Sequence, residues 1–183
     1  MSEISFKGNF ISHLNIQKIY PIKMPFKVSV VELNPLDSKD LRALRDVDDL
    51  WEASFSGNIY KEAASIHNIG EADEAQKFYV LTRQMKNFEN IFPEDILAEA
   101  KIAEDSFNGR SVNLDYLQVH PEHLYDSEVR EFKGLGRGFL DFFKQLYKGK
   151  EIDLHSVFSA RDFYFKNGFH PVERDSNNLY FIA

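Results

Sequence analysis

The sequence predicts a mixed α/β (α+β) fold: a mostly antiparallel central sheet of six to seven strands with helices on both faces. Three observations carry that reading. Runs rich in β-branched and aromatic residues alternate with stretches of helical periodicity. Three strand-like runs follow one another as a meander, and the remaining strands are separated by helical segments.

The elements follow in order. "FKVSVVEL", Phe26 to Leu33, is β-branched and predicts a strand. After Asn34-Pro35, Asp37 or Ser38 supplies an N-cap, and Leu41, Leu44, Val47 and Trp51 recur at helical spacing. A second helix covers Ile59 to Ile66. The meander comprises Lys77 to Gln84, Asp95 to Asp105 and Ser111 to Val119, with Asn108-Gly109 as a hairpin signal between the last two. A helix then follows the glycines of "KGLGRGFL", "EIDLHSVF" predicts a strand, and "SARDFYFKNGF" a short helix ended by Gly168. "NNLYFIA" predicts the terminal strand. The domain expected is a single one over residues 26–183, preceded by an N-terminal extension, residues 1–25, to which the pattern gives no role.

Composition narrows the function. With 43 % hydrophobic and 14 % aromatic residues, the chain is expected to be ordered. It contains no cysteine, which removes disulfides, thiolate metal sites and a cysteine nucleophile. A net charge of -7 argues against nucleic acid as the main partner. Without an apolar leader or a run of about 18 apolar residues, neither a signal peptide nor a membrane helix is expected. The expectation is a soluble cytoplasmic protein, monomer or homodimer.

Chemistry concentrates at the glycines, Lys133 to Gly138. A Walker loop needs Gly-Lys-Ser/Thr, but Phe139 follows Gly138; a dinucleotide fingerprint needs glycine or alanine at that same position and a strand directly before it. Neither fits. What remains is the physics common to both: glycines let backbone N–H groups converge, and a helix beginning there adds its free donors and positive end. Lys133 and Arg137 add cationic charge. His120 and His123 lack a third ligand in reach, so no metal site is expected.

Three segments resemble the GNAT superfamily of N-acetyltransferases. These are Val119-His120-Pro121-Glu122 at a strand end, Lys133-Gly134-Leu135-Gly136-Arg137-Gly138 at a helix head, and "ARDFYFKNGF" from Ala160 to Phe169. The resemblance implies acetyl-CoA as co-substrate, without a metal, and a small-molecule or protein primary amine as acceptor. It implies that main-chain N–H groups of Lys133, Gly134, Leu135, Gly136, Arg137 and Gly138 hold the pyrophosphate of coenzyme A. The backbone of Leu117, Gln118 and Val119 would pair with the pantetheine arm and supply an oxyanion donor. Tyr164 matches the tyrosine that serves many members as general acid. Glu131 stands where the family places Gln or Arg, with Arg130 and Lys133 beside it to supply the cation.

For the base, strand alternation places Asn113, Asp115, Leu117 and Val119 on one face. Asp115 is therefore the first candidate and Glu99 the second. The family builds its acceptor pocket from the first two helices, here about residues 47–70, where Asp46, Asp48, Asp49 and Glu52 could draw a cationic acceptor. A non-catalytic acyl-CoA sensor or interaction module with the same fold is the alternative.

Overall fold

The computed structural model describes residues 8–51, 57–71, 73–105, 109–124, 127–173 and 176–183, with the backbone alone at 57 and 58. Its frame is one open sheet in the order β6-β1-β2-β3-β4-β5-β7-β9-β8. The strands are β1 (Asn9–Lys18), β2 (Met24–Leu33), β3 (Gln76–Thr82), β4 (Ile96–Glu104), β5 (Ser111–Val119), β6 (Phe132–Lys133), β7 (Glu151–His155), β8 (His170–Pro171) and β9 (Asn178–Ile182). Every pairing is antiparallel except that of β5 with β7. The helices are α1 (Ser38–Trp51), α2 (Gly57–Ile69), α3 (Leu135–Leu146) and α4 (Arg161–Lys166).

The class is the one the sequence predicts, but the described sheet has nine strands, not six to seven. Two of the additions, β6 and β8, are two-residue strands, too short to leave a periodic signal. The third is β1, inside residues 1–25, and it pairs along its whole length with β2. The Asn108 part of the hairpin signal lies outside the described residues; Gly109 takes the left-handed φ of +62° that such a turn requires.

Two cores flank the sheet. On one face α3 lays Leu135, Phe139, Leu140, Phe142 and Phe143 against Val28, Val30, Leu81, Ala98, Ala100 and Ile102. On the other, Ala43, Leu44, Val47 and Trp51 of α1 meet Ile59, Ala63 and Ile66 of α2 over Val31, Phe78, Val80 and Ile96. Asp37 caps α1, its Oδ1 accepting the Lys39 N–H at 2.7 Å. No helix among the described residues is long and apolar enough to cross a membrane.

The feature that makes a site is the parallel pair. β5 and β7 are in register only from Ser111, Val112 and Asn113 to Glu151, Ile152 and Asp153. Beyond Asn113 the two strands part, and β5 continues to Val119 with β4 as its one strand partner among the described residues. A bulge helps: Lys101 faces Tyr116, the next pair is Ile102 with Leu114, and Asp115 is the extra residue. Such an insertion bends the strand and raises its twist.

Candidate active site in the gap between β5 and β7

A cavity of about 410 Å³ occupies the gap, within the range of small-molecule sites. It is lined by Leu117 and Val119 of β5, by Ser159, Ala160, Phe163 and Tyr164 at α4, by Gly134 to Arg137 at the head of α3, and by His123, Leu124 and Arg130. His120 donates its N–H to the Leu97 carbonyl of β4 at 2.9 Å. By strand alternation the N–H groups of Val119 and Leu117 then point away from β4, into the gap. Gln118 is paired across from Glu99 and does not line the cavity.

Gly134, at φ +81°, is the residue preceding α3, and its carbonyl accepts the first helical bond, from the Gly138 N–H at 2.8 Å. The Leu135, Gly136 and Arg137 N–H groups precede that bond and are free to hold an anion. The Gly138 N–H is spent inside the helix, and Lys133 is exposed, engaged in β6 and outside the cavity lining. Gly136 carries a steric demand of its own: a Cβ there would stand 3.2 Å from Phe163 Cζ and 3.4 Å from Val119 Cγ2. The Leu135 side chain is buried in the core, which anchors this turn.

Tyr164 is 8 % exposed and set edge-on between Phe163 and Phe169, at ring-centroid distances of 5.1 and 5.6 Å. Burial pushes its phenol up to about 12, so it remains protonated at neutral pH. Arg130 donates from Nε to the Phe132 carbonyl at 3.0 Å while lining the cavity.

The bulge overturns the expected face of Asp115. Val112, Leu114, Leu117 and Val119 share the α3 side, and Tyr116 packs on the side of α1 and α2. Asp115 is held by Lys101 Nζ at 2.6 Å and by Asn113 Nδ2, and Lys101 also pairs with Glu62 of α2. Burial opposes the charge on Lys101, but Asp115 and Glu62 outweigh it and raise its pKa.

Glu99, 1 % exposed, projects toward α1, and its Oε1 has no hydrogen-bond partner among the described residues. Burial, with Asp48 adding repulsion, pushes it to about 8. Its folded pKa therefore lies above the ordinary 4.5, so its contribution to stability is full below pH 4.5 and is lost as pH rises through 8. Glu99→Gln, which stays neutral, should gain on the wild-type protein by about 2 kcal/mol between pH 6 and pH 8. Melting curves at those two pH values check this; a constant difference would mean that Glu99 is ionised throughout.

The His120 and His123 rings lie tilted at a centroid distance of 5.2 Å, and burial lowers the pKa of both. Sequence reasoning offered Arg130 as a cation beside Glu131, and the structure places it in the cavity lining; it gave His123 no place there, since His123 precedes the motif by an irregular loop. Among the described residues no three His, Cys, Asp or Glu side chains gather as a metal site needs. In the expected acceptor region Asp46 is paired with Arg45 at 2.7 Å, and Glu52 lies outside the described residues. A 520 Å³ hollow along α2, lined in part by Glu62, Glu71 and Asp73, shares no lining residue with the cavity at the glycines.

The open sheet, the parting strands and a glycine-headed helix at their gap define a class: the fold is that of the GNAT N-acetyltransferases. In particular, the chain is similar to an acetyltransferase from Thermus thermophilus, with TM-score 0.57 and 16 % identity over 84 % of this chain and 94 % of that one. It is similar to AtaTR bound with AcCoA, at TM-score 0.52 and 17 % identity over 84 % and 92 %. Tetrahymena GCN5 follows at TM-score 0.51 and 12 % identity over 79 % and 88 %. No family model and no curated protein matches the chain.

Proposed function

We propose that the protein is an acetyl-CoA-dependent N-acetyltransferase acting on a primary amine. The observation that carries the reading is the convergence, on one cavity, of the free N–H groups heading α3, the unpaired edge of β5 and the protonated Tyr164. Lining one cavity, they can serve a thioester whose diphosphate lies at the glycines. Acetyl-CoA would supply the activated acyl carbon, and the chain's own groups do the rest.

Leu135, Gly136 and Arg137 bind the diphosphate through their N–H groups, with Arg130 and Arg137 adding charge. The backbone N–H of Leu117 or Val119 holds the carbonyl oxygen as it gains negative charge. The apolar walls, Leu117, Val119, Leu124 and Phe163, strip water from an arriving ammonium; this lowers its pKa from about 10.4 and sends its proton to solvent. The C–N bond then forms, the C–S bond breaks, and Tyr164 hydrogen-bonds the departing sulfur. A primary ammonium and a thioester become an amide, a thiol and one released proton.

One observation favours the second reading, a non-catalytic acyl-CoA module. No carboxylate lines the cavity among the described residues: Asp115 is engaged by Lys101, and Glu99 is buried toward α1. Calorimetric titration with acetyl-CoA, followed by an amine screen reading thiol release, separates the two. Micromolar binding with turnover supports the enzyme, and binding without turnover on any amine supports the module. Absence of binding removes both.

A further inference from the structure

Glu131, three residues before Gly134, carries a charge that is wrong for an anion site, and the structure shows where that charge goes. Its carboxylate meets Lys18 Nζ at 2.7 Å and Arg83 Nη1 at 3.8 Å. Its carbonyl accepts the Ile19 N–H at 2.8 Å. The next two residues, Phe132 and Lys133, pair as β6 with Lys18 and Gln17 of β1, and Gly134 then turns the chain into α3. Lys18 Nζ also lies 5.7 Å from the Phe26 ring centroid and 5.9 Å from that of Phe132, which is 1 % exposed. Arg83 is fixed in turn by Asp95 at 3.4 Å and by the Glu94 carbonyl at 2.8 Å.

The neighbouring side chains divide the work. Arg130 lines the cavity, whereas Glu131 does not. The last ordered contacts before the free N–H groups of α3 are thus made to β1 and to the end of β3, not to the gap itself.

We propose that Glu131 is a positioning residue: through Lys18 it fastens the anion-binding turn to β1 and through Arg83 to the end of β3, so that these strands, the N-terminal one foremost, set the geometry of the site. The proposal rests on the acetyl-CoA reading above. It gives Glu131 the sign opposite to the one its charge alone suggests. A carboxylate confronting a diphosphate would weaken binding, and its removal would tighten it; a carboxylate holding the turn strengthens binding, and its removal loosens it.

The test is titration of the wild-type protein, Glu131→Gln, Lys18→Met and the double variant with coenzyme A and with pantetheine, which lacks the diphosphate. Partly exposed ion pairs of this kind are modest, so Glu131→Gln should bind coenzyme A about three- to fivefold more weakly. Affinity for pantetheine should not change. The double variant should be no weaker than the weaker single one, because both remove the same interaction. Tighter or equal coenzyme A binding by Glu131→Gln overturns the proposal, as does a parallel loss for pantetheine, which would mark a general loosening of the fold. If the wild-type protein binds neither compound, the acetyl-CoA reading itself has failed; equal affinities in all four proteins remove the positioning role alone.

Discussion

Gly136→Val is expected to bind coenzyme A about a hundredfold or more weakly than the wild-type protein. The first methyl-bearing carbon at this position would stand 3.2 Å from Phe163, closer than packed atoms ordinarily approach, and 3.4 Å from Val119, at the limit of ordinary contact, and valine adds two further methyl branches. Either Phe163, which is only partly buried, swings into the cavity, or the first turn of α3 moves outward. In the first case the space for the pantetheine arm is filled. In the second the Leu135, Gly136 and Arg137 N–H groups lose their aim. A hydrogen bond to a charged group is worth about 1.5 to 3 kcal/mol, so losing two gives the expected effect. The fold should survive, since overpacking of a yielding site costs about 1 to 3 kcal/mol and glycine is itself a poor helix residue. Calorimetry gives the affinity and a melting curve gives the stability. Undiminished affinity in a folded Gly136→Val protein would remove the glycine turn from the binding site. Gly134→Ala is a different test, because a Cβ at Gly134 would meet no other side chain or distant backbone within 4 Å and only its φ of +81° resists a side chain.

The order of the major elements was legible because each carries its own period: the β-branched runs of β2 to β5, the Leu44, Val47 and Trp51 stripe of α1, and the phenylalanine face of α3. β1 was not, although it is ten residues long. Its exposures are mostly intermediate, with Ile16 alone buried, so it presents no clean alternation. What it does is visible only through its partners, β2 and β6. At the site, the glycine motif and Tyr164 could be read from local sequence, whereas the surroundings of Asp115 could not. Strict alternation from Asn113 puts Asp115 beside Leu117 and Val119, and a single bulge undoes it. Nothing in "SVNLDYLQV" announces the bulge; the long-range pair with Lys101 and its link to Glu62 accompany it. Glu131 likewise reads as a misplaced anion until Lys18, far earlier in the chain, is found beside it.

Tyr164→Phe should lower kcat by about 10- to 100-fold while leaving coenzyme A affinity and stability near those of the wild-type protein. The ring contacts with Phe163 and Phe169 persist in the variant, so only the hydroxyl is removed. The size of the effect follows from two acidities. Burial holds the Tyr164 phenol at about 12, whereas an ordinary thiol has a pKa of about 8.5. Full proton transfer from this phenol to a thiolate is therefore uphill by roughly three pKa units or more, and Tyr164 acts chiefly by donating a hydrogen bond to the sulfur as the C–S bond breaks. Such a bond to a charged acceptor is worth about 1.5 to 3 kcal/mol, the origin of the 10- to 100-fold range. The same acidities predict the pH profile: kcat of the wild-type protein has no falling limb from Tyr164 below about pH 10, and Tyr164→Phe shifts the whole profile down without changing its shape. Single-turnover thiol release across about pH 6 to 9 reads both. Equal kcat in the two proteins would return Tyr164 to a packing role, and a variant that loses affinity in proportion to turnover would make the hydroxyl a binding group for the co-substrate.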